Sequence, residues 1–227
     1  MMLELKNLRK SYGPKEVLKG ISATFSAGKV YGIVGENGAG KTTLFRCIAD
    51  LIPFEGEILK APADFNHHLG FLQTNNLLLP MMTGREYLRL LIRARHLPVS
   101  DLDDRNIFDL PLDEYARNYS TGMQKKLALL GVLLQGNNCL ILDEPFNGVD
   151  IQSNIIIAEI IRELRRLGKT VLISSHIYST LTDTCDEIHL LRDGLFVKSA
   201  GPESFADLEG EMIRVTVGDR VERLGLS

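Results

Sequence analysis

Nine consecutive residues carry the clearest chemical signal in the sequence. They are Gly35, Glu36, Asn37, Gly38, Ala39, Gly40, Lys41, Thr42 and Thr43. The spacing Gly-x-x-x-x-Gly-Lys-Thr is that of a loop whose backbone N–H groups turn inward around phosphate oxygens. A lysine in this position reaches the terminal phosphates of a nucleoside triphosphate, and the next hydroxyl holds Mg²⁺. The spacing therefore predicts a nucleotide-phosphate site that uses Lys41 and Thr42.

The residues around this loop supply the context that such a motif needs. Residues 30–34 are an apolar run typical of a strand, and residues 42–51 contain helix-forming side chains. The N-terminus of that helix would add partial positive charge beside the phosphates. This order of strand, loop and helix argues against a glycine-rich turn before an ordinary helix.

Two acidic residues after a second apolar run predict the other half of the site. Asp143 and Glu144 directly follow residues 140–142. In a phosphate-loop protein the first acid commonly orders Mg²⁺, and the second can polarise a water toward the γ-phosphate. Such a pair alone is more often a solvated turn, but the phosphate loop makes the functional interpretation the favoured one.

Two further polar residues follow apolar strands and are candidates for the same site. His176 comes after residues 171–174, and the carboxyl ends of parallel strands share one edge of a sheet. That placement predicts that His176 reaches the γ-phosphate, although a lone histidine after a strand is usually structural. Gln73 ends another apolar stretch and is either a polar residue opening a loop or a ligand of Mg²⁺ and its water.

A second helix start offers a further anion site. Ser120 and Gly122 flank Thr121 directly before a helical run at residues 123–135. They form either a plain N-cap or a second helix terminus that presents a hydroxyl and N–H groups to an anion. Because the chain already has one phosphate loop, we expect a second anion site to bind the nucleotide of a neighbouring molecule.

Composition limits the class of protein. The 227 residues are 44% hydrophobic and 24% charged with a formal net charge of −3, which is the balance of a soluble globular protein. The longest uncharged apolar run, residues 127–134, is far shorter than the about 18 residues needed to span a bilayer. The basic residues are scattered, so no footprint for nucleic acid stands out. The three cysteines, Cys47, Cys139 and Cys185, are predicted to be reduced and mostly buried.

Strand and helix patterns alternate along the chain and predict an α/β fold. The predicted strands lie at residues 3–8, 21–25, 30–34, 57–59, 139–142, 169–174, 188–191, 195–197 and 213–217. Predicted helices lie at residues 42–51, 101–109, 123–135 and 155–167, and one more begins at a capping box formed by Thr83 and Glu86. The stretch from residue 77 to residue 136 is mostly helical and is predicted to form a subdomain beside a nucleotide-binding core.

Taken together and in this order, the motifs resemble those of the ATP-binding cassette (ABC) ATPases, the nucleotide-binding subunits of ABC transporters. Residues 35–43 look like the Walker A motif, and residues 140–144 look like Walker B with its catalytic glutamate. Gln73 resembles the Q-loop, residues 147–150 the D-loop and His176 the switch histidine. The resemblance covers residues 3–205 and implies a phosphate-loop NTPase core with a mostly parallel sheet, an N-terminal antiparallel β part and a helical subdomain.

Two other positions enter through the resemblance. Tyr12 looks like the aromatic residue that stacks on adenine, although it could also pack locally in its turn. Residues 119–123 read Tyr-Ser-Thr-Gly-Met where the family usually has Leu-Ser-Gly-Gly-Gln. Ser120 and Gly122 are kept, whereas Met123 loses a polar contact, which affects the expected rate of hydrolysis and dimer affinity. Similar variants look like those of bacterial export-type and drug-resistance cassettes.

The resemblance implies one ABC ATPase domain over residues 1–227, with its core at residues 1–76 and 137–227 and the helical subdomain at residues 77–136. It implies an ATPase that uses ATP and Mg²⁺, with Glu144, His176, Lys41 and Gln73 as catalytic residues and Thr42, Gln73 and Asp143 at the metal. Two copies, or one copy and a related subunit, would pair head to tail around ATP.

The implied partner is an integral membrane permease that docks near residues 77–97, with the chain on the cytoplasmic face of the membrane and a slight lean to export. A soluble ABC ATPase acting on nucleic acid or ribosomes is the alternative from another class. A regulatory module with poor turnover is a third reading, motivated by Met123.

Overall fold

Two β-sheets and the helices that cover them make up the part of the chain described in our computed structural model, residues 2–75, 78–99 and 101–217. The strands are β1 (Met2–Tyr12), β2 (Lys15–Ser26), β3 (Val30–Val34), β4 (Glu55–Ala61), β5 (Leu69–Leu72), β6 (Cys139–Asp143), β7 (Thr170–Ser175), β8 (Glu187–Arg192) and β9 (Leu195–Ala200). The helices are α1 (Lys41–Ile48), α2 (Gly84–Ala94), α3 (Thr121–Leu134), α4 (Ile151–Arg166), α5 (Ser179–Thr182) and α6 (Phe205–Val217).

The larger sheet has the strand order β5-β6-β7-β3-β8-β9, in which all neighbours are parallel except the antiparallel pair β8 and β9. The smaller sheet, β2-β1-β4, is antiparallel. The predicted α/β class, with its mostly parallel sheet and N-terminal antiparallel part, is therefore confirmed. As a result, β3, β5, β6 and β7 all end at the same edge of the larger sheet.

Both faces of the larger sheet are buried, which explains why its central strands are continuously apolar. On one face Val30, Leu140 and Val171 belong to a core shared with α2, α3 and α4. On the other face the alternate residues Tyr31 and Ile141 pack in a second core shared with α1 and the smaller sheet. The sheet is thus held on two sides, and the loops that leave its edge start from rigid positions.

Most predicted elements are present, with boundaries that differ by a few residues. The helix predicted at residues 42–51 ends at Ile48, and α4 stops before Gly168, whose φ is +70°. The three cysteines are buried and free. No helix in the described ranges has the length and hydrophobicity needed to cross a bilayer. The subdomain limits at residues 76/77 and 136/137 stay a prediction, and Leu77 lies outside the described residues.

The helix predicted at residues 101–109 is wrong, because the segment is a series of turns. Asp101 accepts a hydrogen bond from the backbone N–H of Asp103 at 3.0 Å, which replaces a helical bond. The Asn106 side chain exchanges two hydrogen bonds with the backbone of Leu110, at 2.8 and 3.1 Å. Short polar side chains compete with the helical ladder in this way, so the frequent Asp and Asn residues favour turns.

The strand predicted at residues 213–217 is also wrong, because these residues are the end of α6. Alternating apolar and polar residues suggested a strand. The apolar residues that pack, however, are Phe205, Leu208 and Met212, which recur at helical spacing upstream. Burial of these three residues favours a helix, and residues 213–217 continue that helix despite their alternating pattern.

A capping box begins α2 and generates a stability prediction. The Thr83 hydroxyl accepts from the Glu86 N–H at 3.2 Å, and the Glu86 carboxylate accepts from the Thr83 N–H at 2.8 Å. We expect Thr83→Ala to lower the free energy of unfolding by about 1 kcal/mol because a helix donor loses its partner. Urea unfolding of this variant measures the loss. Arg89→Ala, on the exposed face of the same helix, is the control, and equal losses in both would contradict the capping role.

A buried histidine predicts how stability depends on pH. His189 is only 4% exposed, stacks on Phe196 at 5.0 Å, and shares a hydrogen bond with the Ser199 hydroxyl. Glu187 Oε1 lies 3.3 Å from Nε2, which has no hydrogen-bond partner, and burial lowers the pKa of His189 to about 4.

Because the folded pKa lies below the ordinary value of 6.5, the unfolded chain binds the extra proton first as the pH falls. The contribution of His189 to stability is present above pH 6.5 and is lost toward pH 4. We expect this residue to account for about 2 kcal/mol of lost stability between pH 7 and pH 5. Urea unfolding at both pH values tests this, with His189→Phe as the variant that should lose the dependence. An equal pH dependence in both proteins would contradict it.

Candidate functional site

The loop between β3 and α1 is closed around the side chain of Lys41. The Lys41 ammonium donates to the carbonyls of Gly35 at 2.6 Å and Glu36 at 3.3 Å, and the side chain is 6% exposed. Gly40 precedes the helix with φ +112°, and a Cβ there would lie 3.0 Å from the Leu18 side chain. Glycine is therefore required at this turn, and the N-terminus of α1 opens at the loop.

This loop forms one wall of a cleft of about 540 Å³. The cleft brings together predicted residues from three strand ends, those of β3, β6 and β7. Its lining residues are Val17, Glu36, Asn37, Gly38, Gly40, Lys41, Thr42, Thr43, Thr74, Glu144, Asn147 and His176. Hydroxyl, ammonium, amide and carboxylate groups thus converge beside the N-terminus of a helix, which suits a ligand with several anionic oxygens.

A single buried carboxylate, that of Asp143, joins three segments beneath the cleft. Its Oδ2 accepts from the hydroxyls of Thr42 and Thr74, each at 2.6 Å, and its Oδ1 accepts from the Ser174 hydroxyl at 2.6 Å. Asp143 is fully buried, and a buried carboxylate needs such donors to offset its desolvation. The hydrogen bonds therefore connect the ends of β5, β6 and β7 with the first turn of α1.

Glu144 lies directly after β6 and faces both Lys41 and His176. Its Oε1 is 3.3 Å from the Lys41 ammonium, and its Oε2 is 2.8 Å from His176 Nδ1. The backbone of Glu144 has φ +53°, a left-handed conformation that is uncommon for a residue with a side chain. The Ser174 hydroxyl accepts from the Glu144 N–H at 2.9 Å and holds this backbone in place.

The structure puts Thr74, and not Gln73, at the Asp143 carboxylate. Gln73 follows β5 and is partly buried, but it is not among the residues that line the cleft. Sequence reasoning missed Thr74, because its contact depends on the parallel register that pairs Leu72 with Leu142. The available signal was a second polar residue after the same apolar strand.

Three predicted nucleotide contacts lie away from the cleft of their own chain. Ser120 caps α3 by accepting from the Met123 N–H at 3.2 Å, and it is exposed. Gly122 approaches the loop after β6 so closely that a Cβ would lie 2.8 Å from the Gly148 carbonyl. Tyr12 is 47% exposed beside the β1–β2 turn, with the Lys10 ammonium 5.1 Å from its ring centre.

The oxygen ligands in the cleft fit Mg²⁺ that arrives with phosphate. The Thr42 hydroxyl and the Asp143 carboxylate lie together at the base of the loop. Magnesium in nucleotide sites is held by one or two protein oxygens, with phosphates and water completing the shell. Across the described residues, no group of three or more His, Cys, Asp or Glu could hold a metal by itself. A metal bound here would share its coordination shell with the phosphates of a bound nucleotide.

The fold and this cleft define a phosphate-loop NTPase. Residues 18–147 match the sequence model of the family described as ABC transporter. The chain is 33% identical over 220 residues to the ABC transporter ATP-binding protein NatA of Bacillus subtilis (strain 168), covering 88% of this chain and 89% of that protein. The chain belongs to the ABC transporter ATP-binding family, and its activity is ATP hydrolysis.

Other similar proteins carry names that describe a process. The chain is 30% identical over 222 residues to the Nod factor export ATP-binding protein I of Burkholderia lata, covering 91% of this chain and 73% of that protein. It is 30% identical over 208 residues to the linearmycin resistance ATP-binding protein LnrL of Bacillus subtilis, covering 85% and 67%.

A solved ATP-binding cassette, dimeric in a post-hydrolysis state with ADP and Pi, has the same fold. Its TM-score is 0.79 at 22% identity, with 88% of this chain and 98% of that chain covered.

The Ser174 hydroxyl is hydrogen-bonded to both Asp143 and Glu144, and this predicts the effect of removing it. Ser174→Ala leaves the Asp143 carboxylate with one donor fewer and the buried Glu144 N–H without its acceptor. We expect the free energy of unfolding to fall by about 1–3 kcal/mol. Urea unfolding checks this against Thr182→Ala, whose hydroxyl bonds at the surface. A loss no larger than in the control would show that this hydroxyl is dispensable.

Proposed function

We propose that this chain is the ATP-hydrolysing subunit of an exporter and drives transport through a separate integral membrane permease. Family membership supports the transporter role, and the relatives named for Nod factor export and linearmycin resistance support the export direction. The observation that carries the proposal is the convergence of Lys41, Thr42, Glu144 and His176 in one cleft, with the Asp143 carboxylate bonded to Thr42 beneath it.

In this proposal each of these five side chains acts on the terminal phosphate, its metal or the attacking water. Glu144 is the general base, because its carboxylate borders the cleft and His176 and Lys41 orient it. Lys41 neutralises charge that develops on the γ-phosphate, and His176 steadies that phosphate. The turn residues of the phosphate loop, from Gly35 to Thr43, hold the remaining phosphate oxygens.

Thr42, Asp143 and Gln73 are the proposed Mg²⁺ ligands, directly or through water, and Thr74 joins them by its bond to Asp143. When bound, Mg²⁺ supplies Lewis-acid charge that neutralises the phosphate oxygens. The Asp143 carboxylate is already oriented for the metal, because three hydroxyls donate hydrogen bonds to it. Positioning and electrostatics are thus the main sources of catalysis.

We further propose that ATP is bound between two copies arranged head to tail. Ser120 and Gly122 do not line the cleft of their own chain, and Ser120 is exposed at a helix N-terminus suited to an anion. Ser120 and Gly122 would contact the γ-phosphate held by the other copy, and Tyr12 would stack on the adenine of its own nucleotide. ATP binds the closed pair better than the open one, so it shifts the population toward closure until hydrolysis removes that preference.

The permease would dock near residues 77–97 of the helical subdomain, on the cytoplasmic face of the membrane. Exposed apolar side chains there include Leu79, Met81 and Leu90, at 53%, 62% and 51% exposure. Unbranched methionine in such a surface adapts to a partner of irregular shape. The transported substrate would be selected by the permease, so this chain supplies the energy and not the specificity.

Neither competing function gains support from a specific feature. The relatives are transporter subunits, which does not favour a soluble cassette acting on nucleic acid or ribosomes. A module with poor turnover was suggested by Met123, whose side chain packs partly buried against the main core. Met123 stands where the family usually has glutamine, so a polar contact at the start of α3 is lost. The packing of the core is kept, because the methionine side chain lies against it.

Substituting the proposed general base tests the function directly. We expect Glu144→Gln to bind Mg-ATP, to lose at least about 100-fold in turnover, and to accumulate a dimer, because the closed state forms but does not reset. Phosphate release and light scattering with Mg-ATP measure the two effects. Glu163→Gln, an exposed change of the same type on α4, is the control and should match the parent. Turnover at the parent rate in Glu144→Gln would remove Glu144 from its role.

A further inference from the structure

A buried lysine on α3 contacts the loop that carries Glu144. Lys125 is 7% exposed, and its ammonium donates to the main-chain carbonyls of Glu144 and of Asn147, the latter at 3.0 Å. Both carbonyls belong to the turn that follows β6. A lysine so far from water normally serves a specific partner, because burying a cation is costly unless hydrogen bonds and nearby charge offset it.

The turn that Lys125 contacts sets the direction of the Glu144 side chain. The Glu144 carbonyl also accepts from the Asn147 N–H at 3.2 Å, so two donors converge on it. At the other end of the same residue, the Ser174 hydroxyl accepts from the Glu144 N–H at 2.9 Å. The left-handed backbone at φ +53° is therefore held from both sides, which such a conformation requires in order to persist.

The first turns of α3 lie against the same loop at two more points. Gly122 leaves room only for hydrogen beside the Gly148 carbonyl, and the Lys126 ammonium is 3.1 Å from Asp150 Oδ2. Ser120 caps this helix, so the start of α3, where Ser120 lies, packs directly against the loop after β6. Burial lowers the pKa of Lys125, while the nearby carboxylates of Glu144 and Asp143 favour its charged form.

We propose that Lys125 is a positioning residue that holds the Glu144 backbone and links it to the start of α3, where Ser120 lies. The inference rests on the proposed function, in which Glu144 is the general base. When Ser120 contacts a nucleotide on a second copy, the effect on its position would be transmitted to Glu144. The connection consists of five residues of α3 and the Lys125 ammonium group. Hydrolysis is thereby tied to closure of the pair.

The test compares steady-state ATP hydrolysis and Mg-ATP affinity in four further variants and in Glu144→Gln. Lys125→Met removes the ammonium but keeps the length of the side chain, and Lys125→Arg keeps charge and donors. Val132→Ala loosens the same helix at a core position away from the loop and controls for a general loss of stability. The double variant Lys125→Met with Glu144→Gln tests whether the two residues act together.

We expect Lys125→Met to lower kcat about 10–100-fold with Mg-ATP affinity within about threefold, because misplacement of a catalytic group affects the chemical step. Lys125→Arg should recover most of this loss, and Val132→Ala should keep the parent kcat below its unfolding temperature. In the double variant, the residual rate should equal that of Glu144→Gln alone. Thermal unfolding of each protein confirms that the assays use folded chains.

Two results would overturn the inference while leaving the proposed function intact. One is a parent-like kcat in folded Lys125→Met when Glu144→Gln is inactive. The other is an additive loss in the double variant, which would mean that Lys125 acts by another route. Parent-like turnover in Glu144→Gln would instead overturn the proposed function and the inference with it.

Discussion

The rest of the site depends on the hydrogen bonds that converge on the Asp143 carboxylate. This group is fully buried and is held by hydroxyls from Thr42, Thr74 and Ser174, which belong to three different segments. A buried carboxylate is destabilising unless its oxygens accept hydrogen bonds, so the fold is stabilised when all three segments place a hydroxyl against it. One side chain therefore fixes the phosphate loop, the segment after β5 and the end of β7 relative to one another.

The neighbouring Glu144 shows how backbone strain is used at this site. A left-handed residue that is not glycine costs about 1–3 kcal/mol and persists only where its surroundings hold it. Here Ser174 holds the N–H and Lys125 holds the carbonyl. The carboxylate is thereby aimed at Lys41 and His176 across the cleft. The same arrangement makes the orientation of Glu144 sensitive to the position of α3.

Motif spacing predicted the residues whose chemistry is local to one loop or strand end. Lys41, Thr42, Asp143 and His176 follow from the phosphate-loop pattern and from the rule that parallel strands end at a common edge. The alternation of strands and helices likewise predicted the α/β fold, because buried parallel strands are continuously apolar.

Contacts that depend on register or on packing between distant elements were not visible in the sequence. Thr74 reaches Asp143 only because β5 and β6 pair in a particular register, and Lys125 reaches Glu144 only because α3 packs on that turn. The error at residues 213–217 has the same origin, whereas the error at residues 101–109 came from local hydrogen bonds. Short local patterns were outweighed by core packing in the first case and by side-chain hydrogen bonds in the second.

The central claim is that one nucleotide is held by residues of two copies. The most direct test is an atomic-resolution structure of the Glu144→Gln chain with Mg-ATP. The account predicts a γ-phosphate beside Lys41 of one copy and Ser120 of the other, with Mg²⁺ bound by the Thr42 hydroxyl. A nucleotide that is fully bound in the cleft but contacted by a single chain would contradict it.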